Sequence, residues 1–155
     1  MVKLRYSESV EYAQLVVFNA SLVLFLLMGT LLLSIVFGVE TGIELLIAEE
    51  KAPAVATPFL GLPSLMTMIA FDLIALAGFL SIFEINGRII LGLGVVVLLI
   101  GLVAMVGYAV GVHGLYYDFP EVTNPIAVNT AFLFVLVGFA LCVFGGCPSL
   151  VKGLK

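Results

Sequence analysis

The sequence predicts an all-α integral membrane protein: one transmembrane domain, a four-helix bundle with the amino and carboxyl termini both cytoplasmic. Three observations predict it. Hydrophobic residues make up 63% of the 155-residue chain and charged residues 10%, and the mean hydropathy of +1.32 lies far outside the range of water-soluble domains. Four apolar runs, each long enough to cross a bilayer, are separated by short connections. The basic residues fall almost entirely on one side of the resulting arrangement.

Helix one is expected over 13–38. At 1.5 Å per residue such a run spans a hydrocarbon core of about 30 Å with some tilt. It is too long for the apolar region of a signal peptide, and the small-residue sequence Ala54-Val55-Ala56 lies well downstream. The run is therefore expected to stay in the mature protein. The loop over 39–59 carries Thr41 and Glu44 at capping-box spacing, followed by Ile43, Leu46 and Ile47 at helical intervals. That pattern reads as a short interfacial helix.

Helix two, over 60–83, follows a stretch punctuated by Pro53, Pro58 and Pro63. Glu84-Ile85-Asn86-Gly87-Arg88 interrupts it, and Asn-Gly is a strong turn signal, with Gly87 able to take the left-handed conformation that closes a helix. Helices two and three should form a tight hairpin. Helix three covers 89–115, and the connection over 116–125 contains Pro120 and Pro125, which discourage helix continuation. Helix four covers 126–146. Backbone amides in hydrocarbon need internal partners, and these runs are about twice as long as a barrel strand requires, so helices are expected.

Lys3 and Arg5 precede helix one, Arg88 follows helix two, and Lys152 and Lys155 follow helix four. Only Lys51 lies opposite, among Glu40, Glu44, Glu49, Glu50, Asp118 and Glu121. Positive residues favour the cytoplasm, so both termini face inward in a plasma or cytoplasmic membrane and the two longer loops face outward.

The same residues exclude several functions. A net charge of −4 with scattered Lys and Arg offers no nucleic-acid surface. One histidine, His113, cannot supply the paired axial ligands of a membrane haem or a complete zinc or copper site. Cys142 and Cys147 lie five apart on the cytoplasmic side, which argues against a disulfide. Asn19-Ala20-Ser21 matches a glycosylation sequon but lies inside a span, out of reach of the transferase. No cofactor is expected, although a bound lipid or quinone is compatible with the chain.

Small residues point to helix packing. Helix three carries Gly94, Gly101, Ala104, Gly107 and Gly111, with a GxxxG at Gly107–Gly111, and helix four repeats Ala131, Gly138 and Gly145 at sevenfold spacing. Lipid provides little hydrophobic force between helices, so close backbone approach must join them. Helices three and four are expected to pack tightly.

Asp72 is the sharpest candidate. It lies about twelve residues into helix two from either end, near the midplane, where an aspartate costs about 2.5 to 3.5 kcal/mol. Leu65, Met68, Ile69, Ala75, Leu76 and Phe79 on its own face are apolar, so its partner must come from another helix or from water. Thr30 of helix one lies at matching depth, and a neutral Asp72 could donate to its hydroxyl or to a carbonyl bared by a glycine. One reading makes Asp72 an ordering contact, within the bundle or to a neighbouring subunit. The other makes it a proton or cation site, since intramembrane carboxylates are functional candidates by default. His113, beside Tyr108, Tyr116 and Tyr117, reads as an outer-interface polar site.

Two functions of different class follow. The first is a small non-catalytic subunit that packs within and stabilises a larger membrane complex, such as a respiratory or oxidase assembly. The second is a small oligomeric proton- or cation-coupled transporter or channel using Asp72. An enzyme acting by itself is the weakest reading, because no nucleophile and base converge at one depth.

Overall fold

The computed structural model describes residues 2–38, 63–83, 86–116 and 124–147, with residues 2–11 as backbone only. The expected interfacial helix within 39–59 and the acidic connection around Asp118 and Glu121 lie outside the described residues. Among the described residues four α-helices are present: α1 (Val2–Phe37), α2 (Leu65–Ile82), α3 (Gly87–Val110) and α4 (Val128–Gly146), with a 3-10 turn at His113–Leu115. Each contains a segment long and apolar enough to cross a membrane, from Tyr12 in the case of α1. By length and composition the chain is a multi-pass membrane protein.

The boundaries shift from those expected, for local reasons. α1 begins about eleven residues early because Val2 to Tyr12 contains neither proline nor glycine, and it ends before Gly38 at φ +64°. α2 starts at Leu65 rather than 60. Pro63 cannot donate within a helix and disfavours a helical residue before it, so Ser64 becomes the cap, its Oγ accepting from Thr67 N at 3.0 Å.

The expectation for Gly87 is corrected. Gly87 is the first residue of α3 and has no left-handed backbone; Asn86 caps the helix, its side chain accepting from Arg88 N at 3.3 Å. At the other end of α3 it is Gly111, φ +74°, that takes the left-handed conformation, and it ends α3 at Val110 instead of 115. Val112 N donates to Gly107 O at 3.0 Å, closing the motif that a left-handed cap makes. α4 opens two residues after the expected 126, with Ala131 N donating to Ala127 O as its first turn forms beyond Pro125.

α3 and α4 are the most closely packed pair, antiparallel and joined by small residues in register. A methyl group at Gly101 would lie 2.7 Å from Ala131 O, one at Gly94 2.8 Å from Cys142 N, one at Gly87 2.8 Å from Gly145 O, and one at Gly138 2.5 Å from Leu98 N. These backbones touch with no room for a side chain between them. α2 packs on this pair through Ala70, Val97 and Phe134, where Phe71 meets Phe134 edge to face at 5.2 Å. α1 lies at the margin, packed mainly on α2 through Leu31 and Met68, and Phe79 of α2 sits edge-on between Phe18 and Phe25.

Candidate functional site

The buried polar side chains of the described residues are Ser21, Ser34, Ser64 and Thr67, all on or capping α1 and α2. The α3–α4 contact is built from glycine and alanine, whereas the α1–α2 seam is punctuated by hydroxyls. Ser21 stands directly over Gly78, where the absent Cβ makes space for it. Ser64 and Thr67 pair at 2.6 Å at one end of α2, and Ser81 donates to Gly78 O at 2.7 Å at the other.

Asp72 lies in this seam between those ends. Because α2 starts late, Asp72 is not centred: it falls about 10 Å along the helix from Leu65 and about 15 Å from Ile82. Its side chain is half-buried and faces α1 across Gly29, where a methyl group would sit 3.9 Å from Oδ1 and 4.0 Å from Oδ2. Oδ1 is buried and makes no hydrogen bond. In a low-dielectric surrounding such an oxygen is costly, so it calls for a proton, a cation, water or a donor from another chain.

Thr30 is not that donor. Its hydroxyl donates to Leu26 O at 2.7 Å and Leu27 O at 2.9 Å, inside its own helix. Threonine in a helix has those carbonyls always within reach, and the local bond competes with any bond across the seam.

A crevice of about 360 Å³ opens between α1, α2 and α4, with Ser21, Gly78 and Ser81 toward the end that carries the α2–α3 connection. It extends along α2 to Ala75 and Ile74. Ile74 is two residues from Asp72 and Ala75 is three residues away on the same face, so the crevice stops about 3 to 5 Å of helix rise short of Asp72.

The candidate packing residues divide. Gly101, Ala104 and Gly138 are buried at the α3–α4 side, as a packing role requires. Gly107 is buried against the chain's own next turn, its missing Cβ facing Leu115 and Tyr116, and Gly111 is the helix cap with open space around it. The GxxxG pair thus shapes a turn. Sequence reasoning overlooked that Gly87, Gly94 and Gly101 repeat at the same sevenfold interval as Ala131, Gly138 and Gly145, a signal that was present in the chain.

At the far end from Ser81, Tyr108 and Tyr116 stack with ring centroids 3.9 Å apart, and the Tyr108 hydroxyl donates to Ile126 O. His113 is exposed, 5.6 Å from the Tyr116 ring, in the 3-10 turn and not in α3. With Ile126 N donating to Tyr116 O at 2.9 Å, this cluster staples the end of α3 to the start of α4. Among the described residues no group of three or more His, Cys, Asp or Glu comes together to hold a metal ion. Searches of protein-family models, of curated proteins and of solved structures find no significant match to this chain.

Proposed function

We propose that this chain is a small non-catalytic membrane subunit that packs within a larger membrane complex, of the respiratory or oxidase kind, with both termini on the cytoplasmic side. The observation that carries the reading is the position of α1. It rests mainly on α2 at the margin of the bundle and leaves Tyr12, Val16, Val23, Leu26, Val36 and Phe37 more than half exposed along the span. A flank of that length is suited to neighbouring helices as well as to lipid. Mass spectrometry of the native detergent-extracted assembly tests it: stoichiometric foreign subunits are expected, and an assembly made of this chain alone discards the reading. Labelling of single cysteines at either terminus tests the orientation.

A second reading is favoured by one specific observation, the buried Asp72 oxygen without a hydrogen bond. Here Asp72 is the proton or cation site of a small oligomeric transporter or channel, and the crevice ending near Ala75 is its approach from the Ser81 end. Ser21 and Ser81 give water two polar anchors in an otherwise apolar channel, about the minimum that holds it. Ion flux into proteoliposomes should disappear in Asp72→Asn. Equal flux in that variant removes this reading and leaves the first standing.

A further inference from the structure

We infer that two copies of this chain associate in the membrane through α1, parallel and across a twofold axis, with their Asn19 amides paired. The inference rests on the membrane reading, and it adds an interface and an occupant to it.

Along α1, Val16, Asn19, Val23, Leu26, Thr30 and Leu33 alternate at steps of three and four residues. This is the spacing of a heptad seam, which brings one helix face continuously against a partner helix at a shallow left-handed crossing. The stripe lies on the side of α1 turned away from Ser21 and Leu31, which face α2. Thr30 is half-buried and the other five are exposed, Val16 at 68% and Val23 at 61%. Val16, Asn19, Ala20 and Val23 also border an open hollow formed by side chains of α1 itself, so this face is not filled by a neighbouring described helix.

Asn19 identifies the occupant. It is exposed, about 10 Å along the span from Tyr12, at a depth where an amide facing acyl chains has no partner. Its Nδ2 donates to Leu15 O at 2.8 Å, which uses one of its two N–H groups and none of the acceptor capacity of its carbonyl oxygen. A carboxamide both donates and accepts. Across a twofold axis two Asn19 side chains therefore satisfy one another at equal depth, and identical insertion makes the two α1 helices parallel. A foreign helix would need a matching group at that one level. A single polar residue in an apolar seam also sets its register.

The test uses the full chain in native membranes with Cys142→Ser and Cys147→Ser, and single cysteines on the stripe at Val16, Val23, Leu26 or Leu33. Leu22 and Val36, exposed on another flank of α1, serve as controls. Oxidation should give covalent homodimers at the stripe positions and few at the controls. Asn19→Leu should lower the dimer yield roughly tenfold, the worth of an interhelical polar contact in a bilayer, and Asn19→Gln should restore much of it. Equal cross-linking on every face, no response to Asn19→Leu, or adducts with a foreign chain alone would each overturn the inference. The Asn19 side chain points away from the bundle, so unchanged helicity in the variant separates lost association from lost folding. Resistance to alkaline carbonate extraction reports membrane insertion separately, and a foreign complex holding one copy of the chain would defeat this proposal while sparing the subunit reading.

Discussion

At the scale of single residues, Asp72 sets a clear energetic expectation. A buried polar atom left without a hydrogen bond destabilises by about 1–3 kcal/mol relative to an apolar group of similar shape. Asp72→Leu should therefore raise the thermal midpoint of the detergent-solubilised protein, whereas Asp72→Asn, which keeps a polar atom beside Gly29, should change it little. A fall in stability for Asp72→Leu would mean that the carboxyl has a partner supplied from outside the chain. The anomaly of this residue was legible from the sequence, because an acid inside an apolar run needs no tertiary knowledge to be noticed. Its surroundings were not. Thr30 shares its depth, yet the hydroxyl turns back to the carbonyls of Leu26 and Leu27, and depth alone does not say which way a side chain faces. Asn19 shows the same limit: the sequence put it in a span, and only the packing of α1 on α2 reveals that it faces outward.

At the scale of helices, the α3–α4 contact separates glycines that are needed for packing from those that are not. A methyl at Gly138 would lie 2.5 Å from Leu98 N, and the obstacle is backbone, which cannot step aside as a side chain end can. Gly138→Ala should cost about 1–3 kcal/mol, the usual range for overpacking. Gly92 lies in the same pair of helices with nothing within 4 Å of a built Cβ, so Gly92→Ala should be neutral or stabilising by up to about 1 kcal/mol through backbone entropy. Equal effects of the two substitutions in a thermal or denaturant titration would contradict this register. Gly111→Ala should also destabilise, by about 1–2 kcal/mol, because its left-handed backbone brings a Cβ toward the following carbonyl. The four helices long enough to cross a membrane, and their apolar centres, were readable from composition, which is a local property. Their ends depended on single capping choices: Pro63 displaced the start of α2 to Leu65, α2 closes at Phe83 without a left-handed glycine, and Gly111 ends α3 at Val110.

At the scale of the whole molecule, the four helices divide into two pairs of different character. Among the described residues α3 and α4 meet backbone to backbone with only the half-buried Cys142 thiol reaching across, to Leu91 O at 3.9 Å, while α1 meets α2 through hydroxyls, aromatic edges and the space over Gly78. That division was only half legible: small residues at sevenfold spacing pointed to α3–α4, but nothing in the order of apolar runs says that α1 is marginal. Local openings draw on the contacts that each element makes, so amide hydrogen exchange in micelles should be slowest across α3 and α4 and fastest in α1. Gly78→Leu drives a side chain into the place that Ser21 occupies and should speed exchange in α1 while leaving α3 and α4 protected. Gly101→Leu, wedged against Ala131 O and Val135 N, should instead loosen α3 and α4, the pair on which α2 is seated, and with it the rest of the bundle. Uniform exchange along all four helices, or an equal response to the two substitutions, would show that the bundle opens as one unit and that α1 is no more separable than its neighbours.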